Sequence, residues 1–181
     1  WRVVLGQYDP LGLASVFLIR LKLVMRSLSD DEGRRIDWDD QVPEKQRMEF
    51  INILRQLQDL RNLRFPRCVQ VEGSDPMQDP ELVCFADGSS QAFCALVYIR
   101  WRMMDGSYRN VLLTGKTRVA PIKSLSIPRI ELMGAVAAVR LAEKCQEFSG
   151  FKFKKRYFIT DSSAVLGMIH NENLVLRDFV G

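Results

Sequence analysis

Two aspartates follow strand-like segments in nearly the same sequence context. In "LVCFADGSS" the apolar residues 82–86 lead into Asp87 and Gly-Ser-Ser, and in "RYFITDSSA" residues 157–159 lead through Thr160 into Asp161 and two serines. A carboxylate is costly to bury without a partner, so a strand that delivers one to its end needs an explanation. The repeated ending indicates that both aspartates could serve one site.

A third acid, Glu131, lies in "SIPRIELMGA", where Pro128 is typical of the first turn of a helix. From residue 82 onwards the pattern predicts strands at 82–86, 92–101 and 108–119, a helix at 128–148, a strand at 157–160 and a helix at 163–169. A right-handed crossover can place the fourth strand parallel to the first. Asp87 and Asp161 then share one end of the sheet, where Glu131 can join them.

Three neighbouring carboxylates repel one another unless a cation neutralises them, and oxygen ligands suit a hard ion such as Mg²⁺. The chain has one histidine, His170, and four cysteines without a CxxC pair, which disfavours zinc and a serine nucleophile. Two Mg²⁺ ions about 3.5–4 Å apart could activate water at a phosphodiester. The pattern predicts a metal-dependent nuclease with Asp87, Glu131 and Asp161 as catalytic metal ligands.

Each acid also has a purely structural explanation. Asp87 before Gly-Ser-Ser is typical of a turn, Asp161 before two serines is typical of a helix cap, and an acid such as Glu131 suits a helix N-terminus. Only the joint placement of the three acids favours a site. Both explanations therefore remain open from the residues alone.

Basic residues are concentrated before and within the predicted helix. From residue 109 to residue 130 there are five basic residues and no acid, and the chain carries a net charge of +4. This distribution favours a phosphate backbone as partner, whereas the second cluster, "KFKKR", is more typical of a solvated face than of a specific site. The residues predicted to contact nucleic acid are Lys116, Arg118, Arg129, Ser89 and Ser162.

Residues 1–72 are predicted to form a helical region, residues 73–81 a linker and residues 82–181 a sheet domain. The linker is indicated by "EGSDPMQDPE", which is rich in Gly, Asp and Pro. A first helix is predicted to bury Val16, Ile19, Leu23 and Leu28. A second is predicted to begin near Pro43 and to bury Phe50, Ile53, Leu54, Leu57 and Leu60.

The predicted helix at 128–148 carries two stripes that could face the sheet. The apolar stripe predicted to be buried comprises Ile130, Met133, Ala137, Leu141, Cys145 and Phe148. Beside Glu131 runs a stripe of small residues, Gly134, Ala135, Ala138 and Ala142, that would allow a close approach to the sheet.

A composition of 47% hydrophobic and 27% charged residues is that of a globular protein. Its four cysteines are predicted to be free thiols. The apolar stretch at 11–28 is interrupted by Arg20, Lys22 and Arg26, so no membrane partner is expected.

Three longer segments carry a family resemblance. "FADGSSQAFCALVYIR", "GKTRVAPIKSLSIPRIELMGAVAAVRLAEK" and "FITDSSAVLGMI" closely resemble the ribonuclease H domain of Pao/BEL-type LTR retrotransposon polyproteins. Upstream, "YDPLGLASVFLIRLKLVMRSL", "DWDDQVP" and "LRFPRCV" resemble the region that follows the reverse transcriptase in the same polyproteins.

The resemblance implies an α/β fold with a mixed α+β sheet of the ribonuclease H type, preceded by a helical segment. It also implies hydrolysis of the RNA strand of RNA–DNA hybrids with two Mg²⁺ ions, for which Mn²⁺ can substitute. Asp87 matches the first-strand acid and would bridge both metals, Glu131 matches the helix acid and Asp161 the fourth-strand acid. The implied partners are the hybrid and the reverse transcriptase domain of the same polyprotein, in cytoplasmic retrotransposon particles.

The chain departs from the family pattern at its end. A fourth carboxylate is expected beyond Gly181, which would leave the domain C-terminally incomplete, and Asp178 is not expected to supply it. Cys94 stands where glycine is common, and Gly88 where alanine is common.

Three rival interpretations remain open. The chain could be a non-catalytic connection or nucleic-acid-binding module of the polyprotein, or a degenerate retroelement remnant, although it retains all three acids. A transposase or integrase core shares the fold, but its third acid usually comes from a late helix, whereas Glu131 lies between the two aspartates.

Overall fold

The computed structural model describes residues 6–171 except 30–35, 38, 67 and 123–124. The described elements follow the predicted order, with two helices before residue 81 and a β-β-β-α-β-α series after it. They are α1 (Ser15–Arg26), α2 (Glu44–Gln58) with a 3-10 turn (Asp59–Asn62), β1 (Glu81–Gly88), β2 (Ala92–Arg102), β3 (Tyr108–Val119), α3 (Ile127–Phe148), β4 (Arg156–Ile159) and α4 (Ser163–His170).

The four strands form one mixed sheet in the order β3-β2-β1-β4. β2 is antiparallel to both of its neighbours, and β4 is parallel to β1, with Phe85 opposite Ile159. The predicted placement of the fourth strand beside the first is therefore confirmed. β1 runs two residues further than predicted, so Asp87 lies within the strand and pairs with Cys94.

α3 covers one face of the sheet through its stripe of small residues. Gly134, Ala138 and Ala142 are buried, together with Ile130 and Cys145. The predicted apolar stripe was wrong in part, because Met133, Ala137 and Leu141 are only partly buried and Phe148 is 75% exposed. Small side chains let the helix axis approach the strands closely. The larger side chains of the helix therefore lie at the flanks of the contact, where they are only partly buried.

α1 buries a different face from the predicted one, although Leu28, just after the helix, is buried as predicted. Its buried residues are Ser15, Leu18, Leu21 and Val24, whereas Val16 is 60% exposed. The cause is tertiary: this face packs on Ile53 of α2, whose start after Pro43 agrees with the prediction.

α1 and the turn before it are docked on β3, the outer strand of the sheet. The amide of Gly115 in β3 donates to the carbonyl of Leu11 at 2.9 Å. At the other end of α1, the Arg26 guanidinium donates to the carbonyls of Ala120 at 2.8 Å and Pro121 at 3.2 Å. These bonds hold the helical region against β3 and the loop after it.

The predicted linker and the residues just before it also contact the sheet. Trp101 Nε1 donates to the carbonyl of Val69 at 2.8 Å, and the amide of Asp75 donates to the carbonyl of Arg102 at 2.8 Å. The division of the chain into a helical region, a linker and a sheet domain stays a prediction.

All four cysteines are free, as predicted. Burial raises the pKa of the Cys84 thiol and of the Cys145 thiol to about 11, so both are neutral near pH 7. None of the helices in the described ranges is both long enough and apolar enough to cross a membrane.

Candidate active site

Asp87 and Asp161 meet at one end of the sheet. Each lies two residues beyond the paired residues Phe85 and Ile159, on neighbouring parallel strands that run about 4.8 Å apart. Both side chains are exposed, and both line one depression of about 620 Å³ on the sheet face that α3 leaves uncovered. The sheet topology thus brings the two aspartates to the same end of the sheet, as predicted.

A direct backbone contact places the start of α3 against the end of β1. A Cβ atom at Gly88 would lie 2.8 Å from the backbone N and Cα of Glu131, and a Cβ at Gly134 would lie 2.8 Å from the carbonyl oxygen of Asp87. Neither distance is possible for a real side chain, so glycine at both positions sets how close Glu131 comes to the strand end. The departure at Gly88 therefore allows a closer helix.

The carboxylate of Glu131 is held by the residue next to Asp161. The hydroxyl of Ser162 donates to Oε2 of Glu131 at 2.6 Å and accepts from the amide of Val165 at 3.1 Å, capping α4. Ser162 is 6% exposed. Its hydroxyl is thus engaged inside the protein, and the geometry does not support the predicted contact of Ser162 with nucleic acid; Ser162 instead positions Glu131.

The three acids are of the right type for a hard divalent cation, since each offers carboxylate oxygens only. Oε1 of Glu131 has no hydrogen bond in the described part of the chain, so it is available as a ligand while Ser162 holds Oε2. Among the residues that the structure describes, however, no three His, Cys, Asp or Glu side chains are gathered closely enough to hold a metal ion. The donor chemistry fits Mg²⁺, and a complete cluster requires further convergence of these side chains. Asp178 lies outside the described residues.

Cys94 is the nearest cysteine to the acids, because it pairs with Asp87 across β1 and β2. Burial raises the pKa of its thiol, and the neighbouring carboxylate of Asp87 raises it further. Cys94 is therefore neutral near pH 7 and adds no charge to the acidic site.

Three of the predicted nucleic-acid contacts lie together. Lys116 and Arg118 of β3 face Arg129 of α3 across one groove, and all three side chains are exposed. Ser89, also exposed, closes the β1–β2 turn by donating to the carbonyl of Ala92 at 3.1 Å. The basic groove lies on the sheet face that α3 covers, and the acidic depression lies on the opposite face.

The same groove contains two basic residues that the sequence interpretation missed, Arg140 and Lys144. Their spacing of four residues, and their distance of eleven and fifteen residues from Arg129, keep all three on one helix face. That periodicity was the available signal, but it becomes informative only when β3 is known to lie opposite.

The chain is similar to one known family of protein domains. The model of the Pao retrotransposon-like RNaseH-like domain matches residues 3–162, a range that includes all three acids and both N-terminal helices. No curated protein shows significant similarity to the chain. The matched range covers most of the chain and the whole described sheet, so this protein belongs to the family of Pao retrotransposon RNase H-like domains.

Proposed function

We propose that the protein is a metal-dependent endonuclease that hydrolyses the RNA strand of RNA–DNA hybrids during retrotransposon reverse transcription. The observation that carries the proposal is the placement of Asp87 and Asp161 at the same end of adjacent parallel strands, opening onto one depression. Family membership supports it, because the matched range includes these residues and Glu131.

In this proposal the residues that would hold the two Mg²⁺ or Mn²⁺ ions are Asp87, Asp161 and Glu131. When bound, the ions would activate a water molecule and stabilise the leaving oxygen of the scissile phosphodiester. Ser162 orients Glu131 through its 2.6 Å hydrogen bond.

Binding of the substrate is assigned to groups around the acids. Lys116, Arg118 and Arg129 neutralise phosphates of the hybrid, and the exposed turn at Ser89 approaches its backbone. We also propose that the reverse transcriptase domain of the same polyprotein is a partner, and that the protein works in cytoplasmic particles.

The test is cleavage of a labelled RNA–DNA hybrid with Mg²⁺ or Mn²⁺. The resemblance implies a further carboxylate after Gly181, so a C-terminally extended version of the protein is assayed beside the chain itself. Asp87→Asn, Asp161→Asn and Glu131→Gln in the extended protein should each lower the cleavage rate by at least about a hundredfold, as expected for loss of a group that stabilises the transition state.

Two substitutions of exposed acids serve as matched controls. Glu143→Gln removes a carboxylate from the same helix as Glu131, and Asp59→Asn removes one from the 3-10 turn; both side chains are exposed. These variants should cleave like the unmodified protein. Unchanged cleavage in Asp87→Asn, or none in the extended protein, would sink the nuclease assignment.

The second candidate is a non-catalytic nucleic-acid-binding module of the polyprotein. One observation favours it: within the described ranges the acids are not gathered into a metal-binding group. This candidate predicts hybrid binding that is unaffected by Asp87→Asn, together with no metal-dependent cleavage in any version.

A further inference from the structure

The groove between α3 and β3 is more extensive than the nucleic-acid contacts assigned so far. It encloses about 550 Å³ and is lined on both sides by basic side chains, without any acidic residue among its lining residues. Its basic residues are Lys116, Arg118, Arg129, Arg140 and Lys144. From Arg129 to Lys144 the helix rises about 22 Å at 1.5 Å per residue.

Four of these cations are unpaired among the residues that the structure describes. In the described part of the chain, Lys116, Arg118, Arg140 and Lys144 form no ion pair. Arg140 and Lys144 are also four residues apart on one helix face, where like charges destabilise the helix slightly. A row of unpaired like charges is unfavourable for the free protein and becomes favourable when a polyanion lies along it.

Between the cations the floor of the groove is apolar. Leu132 and Met133 are partly buried, and Val136 is 42% exposed. A duplex presents phosphates outwards and hides its bases, whereas a single strand can place phosphates on the cations and base faces on the apolar floor. The volume, typical of sites for small ligands, holds a few nucleotides of one strand of a hybrid rather than the duplex itself.

We infer that the α3–β3 groove binds a single-stranded segment of nucleic acid, the continuation of the strand that reaches the acidic end of the sheet. The inference rests on the proposed function for the end of the groove at which the strand enters. Arg118 pairs with Phe93, which in turn pairs with Gly88 at the end of β1, and Arg129 lies two residues before Glu131. Arg140 and Lys144 then contact phosphates that lie away from the acids, along the middle and far end of α3.

A pair of valines on α3 provides a matched test. Val136 lines the groove and is 42% exposed, whereas Val139 is 41% exposed on the same helix and is not among the groove residues. Binding of a short labelled oligouridine or oligothymidine is measured by fluorescence anisotropy, with EDTA to exclude any metal effect. Val136→Glu should weaken binding by about tenfold through repulsion of the phosphates, and Val139→Glu should change it by less than about twofold.

A second pair separates local contact from overall charge. Arg140→Gln with Lys144→Gln should reduce the slope of log K against log salt by about 1.4, because each lost contact with a single-stranded phosphate contributes about 0.7. Lys45→Gln with Arg55→Gln removes the same charge from exposed positions of α2 and should leave the slope unchanged.

Equal effects of the two variants within either pair would overturn the assignment of the groove as the binding site, since binding would then follow net charge alone. Displacement of the oligonucleotide by polyglutamate of equal charge would overturn its assignment to nucleic acid. Equal sensitivity of a blunt RNA–DNA duplex to Val136→Glu would overturn the single-stranded ligand. All these measurements are made without metal, so they stand apart from any failure of hybrid cleavage.

Discussion

The hydroxyl of Ser162 connects the acid on α3 with the element that follows the fourth strand. It is buried, donates to Glu131 at 2.6 Å and accepts from the amide of Val165 at 3.1 Å. The hydroxyl thus acts as a donor to the carboxylate and as an acceptor for the first turn of α4. A cap residue and an acid-positioning residue are here the same side chain.

Ser162→Ala should therefore destabilise the protein by about 1–2 kcal/mol, through loss of the cap and of a charge-assisted hydrogen bond. Urea unfolding followed by circular dichroism measures the change. Ser163→Ala is the control, because Ser163 is the exposed next residue and its side chain forms no hydrogen bond in the described part of the chain. Equal unfolding midpoints for the two variants would contradict this role of Ser162.

The two buried thiols make stability depend on alkaline pH. The pKa of Cys84 and of Cys145 rises from 9.0 to about 11 on folding, because burial disfavours the thiolate. Well below pH 9 both thiols are protonated in the folded and the unfolded chain. Between about pH 9 and 11 the unfolded chain binds fewer protons than the folded one, so the free energy of unfolding falls as pH rises.

Urea titrations at pH 8, 9, 10 and 11 check the expected decline. The double variant Cys84→Ala, Cys145→Ala should be less stable at pH 8, because it loses buried volume, but should lose less further stability above pH 9. Parallel declines in both proteins would show that other groups cause the alkaline loss.

Among the elements, α3 and β1 are held at a distance that only glycine permits. A Cβ at Gly134 would lie 2.8 Å from the carbonyl oxygen of Asp87, while the small side chains of Ala138 and Ala142 continue the contact along the sheet. The element that carries Glu131 is thereby set against the strand that carries Asp87. The acidic site depends on this packing as much as on the acids themselves.

Gly134→Ala should destabilise the protein by about 1–3 kcal/mol, because relief of the clash moves a packed helix. Gly167→Ala is the matched control: it also lies inside a helix, α4, but nothing lies within 4 Å of its Cβ position. That variant should gain about 0.5–1 kcal/mol, since alanine is the better helix former. Thermal and urea unfolding measure both; a stabilised Gly134→Ala variant would contradict the close contact.

At the level of the whole molecule, the N-terminal helices and the sheet are joined by backbone-to-backbone contact. Gly12 has φ +74°, and a Cβ there would overlap the carbonyl group of Gly115 in β3. Beside it, Leu11 accepts from the amide of Gly115, and Arg26 binds carbonyls of the β3–α3 connection. The helical segment therefore supports the strand that carries Lys116 and Arg118.

Gly12→Ala should detach this segment from β3, and Gly150→Ala tests the backbone contribution alone. Gly150 has the same φ of +74°, but nothing lies within 4 Å of its Cβ position. The control should lose about 1–2 kcal/mol from the left-handed conformation, and Gly12→Ala should lose more. Hydrogen exchange at the Gly115 amide should accelerate in Gly12→Ala only; slow exchange there in both variants would contradict the docking.

Much of the fold was predictable because its signals are local. The extent of β3, the crossover helix and the position of β4 follow from periodicity, from Pro128 and from turn residues, and the parallel pairing follows from the handedness of crossovers. The buried faces of the helices were less predictable. Val16 and Phe148 fit an apolar stripe, yet both are exposed, because the face that is buried depends on the neighbouring element.

The sequence by itself determined the identities and order of the three acids, the strands that carry two of them, and the excess of basic residues before α3. Only the tertiary structure decided that Ser162 holds Glu131, that Gly88 and Gly134 set the distance between helix and strand, and that Arg140 and Lys144 face β3. The physical reason is range: turns, caps and periodicity act within a few residues, whereas these contacts join residues tens of positions apart.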